Sequence, residues 1–242
     1  MQDADTVYII DIGNTLVKVA RFQNDALIDV ERFNDSDLDK FNSYVERRKG
    51  NSIVSSVRSD SDTMAMIEFL DSPFIVSASS ALPVSLNYET ETTLGIDRIC
   101  NAAFLNSKME SDYAVSVDIG TCIKFDLVSK IDGYLGGSIS PGIHLRYKSL
   151  NDYTGKLPLL SNKSGIDIVG TDTNSSMQSG VINGINAELN GVIEQYRSRY
   201  SSLTFFMTGG DAKYFDILSK NDIFADENLT LSGLYEIYKH NA

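Results

Sequence analysis

The chain has 242 residues, enough for two domains of ordinary size, and its 42% hydrophobic and 22% charged residues exclude a disordered polypeptide. Asp and Glu total 33 against 21 Lys and Arg, and the resulting charge of −12 disfavours nucleic acid and anionic membrane as partners. An anionic substrate would need a local patch of positive charge or backbone N–H groups.

The longest apolar runs are strand-sized, well short of the roughly 20 residues that a membrane-spanning helix requires. The opening "MQDADTVYII" carries acids where a secretory signal would carry bases. Cys100 and Cys122 are isolated and His144 and His240 stand far apart, which argues against a zinc site and a His-dependent triad. A soluble, reduced, cytoplasmic protein is the expectation.

In chain order, strands are predicted at Tyr8–Ile10, Leu16–Arg21 and Ala26–Arg32, the last with the alternation of a half-buried strand. "SDLDKFNSYVERRKG" opens on a Ser cap and ends in bases and Gly, the signals of a helix. "NSIVSSV" and "PFIVSAS" read as buried parallel strands with a helix at Thr63–Leu70 between them. "DRICNAAFLNSK" has helical spacing. The second half offers strands at 114–118 and 121–128, a Gly-rich "GYLGGSISPG", and helices near 143–151 and 175–197. "SLTFFMTGGDA" is a strand entering a Gly-rich turn, and "LTLSGLYEIYKH" a terminal helix. The expected boundary divides residues 1–112 from 113–242.

"VYIIDIGNTLVKVARF" and "AVSVDIGTCIKFDLV" each set an apolar run, then Asp-Ile-Gly with Asn-Thr or Thr, then a second β-prone run. A lone copy reads as a tight hairpin turn. Two copies, nearly half the chain apart, read as duplicated α/β halves whose turns grip a polyphosphate from two sides of a cleft. Gly13 and Gly120 let the backbone bend and approach a ligand, and Asn14, Thr15 and Thr121 add polar groups beside freed N–H groups. Asp11 and Asp118 beside a phosphate cradle imply a metal ion or a positioned water. Lys18 could add point charge. Asp97 and Arg98, after Gly95, read either as a helix start with a surface ion pair or as a general base beside an anion-binding guanidinium.

The ordered series D-x-G-N-T (11–15), Y-x6-G-x-D-R (Tyr88, Gly95–Arg98), D-x-G-T (118–121), G-G-x-I-x-P-G (136–142) and T-G-G-D-A (208–212) resembles type III pantothenate kinase, over nearly the whole chain. The resemblance implies duplicated ribonuclease H-like domains of the actin, Hsp70 and sugar kinase type, and ATP-dependent phosphorylation of pantothenate in coenzyme A synthesis. It implies that Asp11, Ile12, Gly13, Asn14, Thr15, Leu16, Val17 and Lys18 form the ATP phosphate loop, with Thr121 a second ATP contact. Tyr88, Gly95, Ile96, Asp97, Arg98 and Thr173 would hold pantothenate, Asp97 as proton acceptor. Asp118 would bind the monovalent cation, K⁺ or NH₄⁺, that this family requires beside Mg²⁺. A homodimer with substrate sites at the subunit interface is implied as well.

Three positions depart from the family's pattern: Glu91 for a frequent Pro, Cys122 for a small Ala, and Asp172 for a frequent Asn. None carries an assigned chemical role, so they bear on affinity more than on activity. A kinase of the same fold acting on a sugar or other small alcohol fits the Tyr88-to-Arg98 element less well. A non-catalytic transcriptional regulator would be expected to lose Asp97 or Asp118, and both are present.

Overall fold

A computed structural model describes residues 6–48, 50–163, 165–215, 217 and 222–242. In chain order it contains β1 (Thr6–Ile12), β2 (Leu16–Gln23), β3 (Ala26–Asn34), α1 (Leu38–Glu46), β4 (Asn51–Ser56), α2 (Asp60–Ile67), β5 (Phe74–Ile75) and α3 (Ile96–Lys108). Then come β6 (Tyr113–Ile119), β7 (Cys122–Ser129), β8 (Gly133–Pro141), α4 (Ile143–Asp152), α5 (Thr173–Arg199), β9 (Leu203–Thr208), β10 (Ile223–Ala225) and α6 (Leu229–Asn241). None of these helices is long and apolar enough to cross a membrane.

The duplication expected from the two Asp-Ile-Gly phrases is present in the topology. One sheet runs β3-β2-β1-β4-β5 and the other β8-β7-β6-β9-β10, so each first strand has an antiparallel hairpin on one side and a parallel strand on the other. Strands β1 and β4 lie inside their sheet and bury Ile9, Ile10, Ile12, Ile53 and Val54, as the near-continuous apolar runs of covered parallel strands require. Side chains alternate across the sheet. Ile10, Ile12, Val17, Val19 and Val54 point to the side carrying Phe41 and Val45 of α1 and Met66 and Ile67 of α2.

The chain divides into Met1–Lys108 with Asn228–Ala242, and Met109–Glu227. The closing helix, expected in the second half, therefore belongs to the first unit. Its apolar stripe of Leu231, Leu234 and Ile237 is buried, and Tyr235 stacks on Phe22 of β2 with ring centroids 4.1 Å apart. Thr230 donates a hydrogen bond to Asn101 of α3 at 2.8 Å, and Gly233 lets the Cys100 carbonyl approach closely. These are long-range pairings between segments more than a hundred residues apart, and no local pattern carries them.

In the second unit, Val115, Val117, Ile119, Ile123, Phe125 and Leu127 form one sheet face, packed with Tyr147 of α4 and Ile185, Leu189 and Ile193 of α5. Helix α5 begins with Asp172, whose carboxylate accepts from the Asn174 and Ser175 backbone N–H groups at 2.9 and 3.1 Å. "GYLGGSISPG" is largely the bulged strand β8, with Gly136 at φ +104. The expected strand in "PFIVSAS" is confined to Phe74–Ile75, and β10 had no counterpart in the sequence reading.

Two stability outcomes follow from this packing. A Cβ at position 233 would lie 1.8 Å from the Cys100 carbonyl oxygen, so Gly233→Ala should destabilise by about 1–3 kcal/mol in urea unfolding. Gly191→Ala on α5, with nothing within 4 Å, should be neutral or stabilise by up to ~1 kcal/mol. The Ser175 hydroxyl, then the Ser175 and Asn174 N–H groups, hold the Asp172 carboxyl below its ordinary 3.8. Its stabilising effect is complete above the unfolded value and is lost as pH falls through the lower folded value. Asp172→Ala should therefore lower Tm at pH 7, with the gap to the parent closing in acid, as scanning calorimetry would show.

Candidate active site

The first turn is built by the β1–β2 register. Ile12 pairs with Val17 and both are buried, anchoring the turn, while Asp11 stands opposite Lys18. The Gly13 N–H donates to the Leu16 carbonyl at 3.0 Å, and a Cβ at position 13 would lie 2.9 Å from that oxygen. Asn14 and Thr15 are exposed at the tip. Two groups that sequence reasoning missed hold this turn in place. The Ser55 hydroxyl donates to Asp11 Oδ1 at 2.9 Å, and Arg58 Nε donates to the Gly13 carbonyl at 2.8 Å. Both come from β4 and its exit, and their signal lies in the parallel register that sets Ser55 beside Asp11.

Residues 95–98 open α3. Asp97 Oδ1 accepts the Arg98 backbone N–H at 2.9 Å and lies 2.6 Å from where a Cβ on residue 95 would stand. A side chain at position 95 would displace that carboxylate, which accounts for Gly95. Ile96 and Asp97 are half-buried, Arg98 is buried, and Tyr88 sits half-buried in the loop before the helix. One turn in, Cys100 connects this element to the first turn. Burial pushes its thiol well above the usual range, the charges of Asp11 and Asp97 push the same way, and a hydrogen bond with Ser55 opposes them. The charges of Asp11 and Asp97 are therefore both felt at one buried thiol.

The second turn is one residue shorter. Ile119 pairs with Ile123, and the Gly120 N–H donates to the Cys122 carbonyl at 3.0 Å. Thr121 is exposed at its tip. Two glycine-bearing segments brace it. The Gly142 N–H donates to the Thr121 carbonyl at 3.0 Å, and a Cβ at 142 would fall 2.0 Å from the Gly120 oxygen. Gly209 takes φ +97 against Ile119, whose carbonyl accepts the Asp211 N–H at 2.9 Å. Burial pushes the Asp211 carboxyl up, with Lys213 and His144 opposing. Gly120 meets only Asp118 Oδ1 at 3.9 Å, so the fold itself leaves room above it.

Asp118 was expected to hold a monovalent cation. Its Oδ2 instead forms an ion pair with Lys124 Nζ at 2.7 Å, each side chain only about one-seventh exposed (14% and 15%). Among the described residues no three His, Cys, Asp or Glu side chains converge as a metal-binding group. A second monovalent cation about 4 Å from that ammonium would be opposed by about 4 kcal/mol at an effective dielectric near 20. The residues present thus do not fit a free ion at Asp118. Lys124 was legible in principle, because it repeats the Asp11–Lys18 pairing in the second hairpin. Thr173 is exposed in the first turn of α5, directly after its Asp172 cap.

In chemical terms, the first unit offers a carboxylate, a lysine and turn N–H groups beside a second carboxylate at a helix start. Comparison with known proteins agrees with this inventory. Residues 7–195 match the family model of type III pantothenate kinase. The type III pantothenate kinase of Christiangramia forsetii is 40% identical, over 96% of this chain and 98% of that protein. That of Bacteroides fragilis is 36% identical over 96% and 97%. Among solved structures, a Baf family protein from Campylobacter jejuni has a TM-score of 0.62 at 21% identity, covering 98% of both chains. The activator of 2-hydroxyisocaproyl-CoA dehydratase from Clostridium difficile has a TM-score of 0.54 at 14% identity, covering 98% of this chain and 96% of that one. At those identities the two structures speak for the fold, the duplicated α/β architecture of the actin, Hsp70 and sugar kinase type. With two fifths of its residues shared across the full length of a relative and four fifths of its length inside the family model, this chain belongs to the type III pantothenate kinase family.

Proposed function

We propose that the chain transfers the γ-phosphoryl group of ATP to the primary hydroxyl of pantothenate, giving 4′-phosphopantothenate and ADP at the entry to coenzyme A biosynthesis. Membership of the family supports the activity. The observation that carries the assignment of residues is a pair of oriented carboxylates in the first unit, Asp11 held by the Ser55 hydroxyl and Asp97 by the Arg98 N–H. A phosphate-holding turn and a proton acceptor must work within a few ångströms of one another, and both candidate segments belong to one unit.

In this reading the turn from Asp11 to Lys18 cradles the ATP phosphates, and Thr121 is a further ATP contact. Mg²⁺ entering with ATP supplies neutralisation of phosphate charge, and Asp11, steadied by Ser55, suits one of its water ligands. Tyr88, Gly95, Ile96 and Arg98 bind pantothenate, and Thr173 is a further pantothenate contact. Asp97 orients the acceptor hydroxyl and takes its proton as the bond to phosphorus forms. Its hydrogen bond from the Arg98 N–H fixes the orientation of one carboxylate oxygen. The protein works as a cytoplasmic homodimer.

The experiment is a coupled assay with ATP, Mg²⁺ and a panel of alcohols that includes pantothenate; activity confined to sugars would overturn the reading. Asp97→Asn should lower kcat by about 10²–10⁴-fold with little change in Tm. Near-normal turnover would remove Asp97 from the chemistry. Thr173→Val should raise KM for pantothenate more than for ATP. Light scattering should report about twice 26.7 kDa, and a fully active monomer would contradict the dimer.

A further inference from the structure

We propose that the Lys124 ammonium is a built-in replacement for the monovalent cation at Asp118, so that this chain binds nucleotide without K⁺ or NH₄⁺. The inference rests on the ATP-dependent reading above and concerns how the second turn manages charge.

Asp118 and Lys124 are cross-strand partners in the β6–β7 register, the last but one pair before the turn. Such partners are near neighbours on one face of the sheet, so the backbone itself delivers the ammonium to the carboxylate. The Oδ2–Nζ distance of 2.7 Å is that of a charge-assisted hydrogen bond, and the shared burial shields the pair from solvent salt. A lysine head group carries the same single charge as NH₄⁺ and has three donors, of which Asp118 Oδ2 takes one. Its charge sits beside the turn, whose Gly120–Cys122 backbone starts immediately beyond the strand end. Tethering also holds the cation at a local concentration that bulk buffer does not alter. A free ion would have to displace the ammonium from its carboxylate to take the same place.

The same pairing recurs as Asp11 opposite Lys18 in the first hairpin, so a lysine on the adjacent strand opposite the acid is part of the duplicated unit.

The test uses the intact protein and isothermal titration calorimetry with the Mg²⁺ complex of a non-hydrolysable ATP analogue. Titrations run in NaCl, KCl, NH₄Cl and tetramethylammonium chloride at equal ionic strength. The parent chain should show the same Kd in all four salts to within about twofold. Lys124→Met opens the carboxylate to a free ion. It should bind weakly in Na⁺ and tetramethylammonium and gain about tenfold on adding K⁺ or NH₄⁺, inside the usual span of linkage between two ligands. Parent binding that tightens about fivefold or more with K⁺ over Na⁺ would overturn the proposal. So would a folded Lys124→Met protein that binds as the parent does in every salt. Should that variant fail to fold, the parent salt series decides alone. Absence of nucleotide binding in all salts by a folded parent would overturn the ATP-dependent reading itself, whereas K⁺-dependent binding sinks only the built-in cation.

Discussion

The cross-strand register of the two hairpins is the constraint from which the rest of the site follows. Pairing Ile12 with Val17 and Ile119 with Ile123 buries four aliphatic side chains at the strand ends. A slip of one residue would turn each of them to the opposite face, so the cores on the α1–α2 side and the α4–α5 side hold the register in place. Once it is held, Asp11 must stand opposite Lys18 and Asp118 opposite Lys124. The acids and bases of the turns are thus placed by hydrophobic burial elsewhere in the same strands.

Alternation then separates support from chemistry. In β6 and β7 the odd-numbered side chains enter the helix-packed core, while Ser116, Asp118, Lys124 and Asp126 share the other face. Asp126 is fully buried and accepts a hydrogen bond from the Tyr134 hydroxyl at 2.9 Å. Burying polar groups at this density is costly, and the Asp118–Lys124 ion pair and the Tyr134 hydrogen bond offset part of that cost, while the Ser116 hydroxyl has no hydrogen-bond partner among the described residues. A face of this kind is a poor core and a suitable floor for a charged ligand. In the first unit the same alternation places Asp11 and Ser55 away from the α1–α2 core.

The helix start at Gly95 shows how small the structural requirement for a reactive carboxylate can be. The residue two before Asp97 must lack a side chain, because Asp97 Oδ1 lies 2.6 Å from where it would begin. That oxygen accepts the Arg98 N–H, which also donates to the Gly95 carbonyl at 3.0 Å, so the opening turn of the helix itself orients the side chain. The neighbouring Cys100, sealed beneath the site, has its thiol pushed well up and stays protonated, adding no charge between the two acids.

What the sequence determined by itself was everything carried by local order. The two Asp-Ile-Gly phrases announced the duplication, and the apolar spacing of residues 97–108 and 175–197 placed α3 and α5 nearly to their ends. The ordered series from Asp11 to Ala212 marked the family, and the positions assigned to the phosphate turn and to the acceptor lie where turns and a helix start were expected. Tertiary structure decided what joins distant segments. That α6 completes the first unit depends on Phe22 stacking with Tyr235 and on Gly233 meeting Cys100, pairings no window of sequence contains. Ser55 and Arg58 reach the first turn only because β4 runs parallel to β1. The state of Asp118 was likewise invisible in the motif. A motif records which residues are present, but the charge beside a carboxylate depends on what strand pairing delivers to it, and here pairing delivers Lys124.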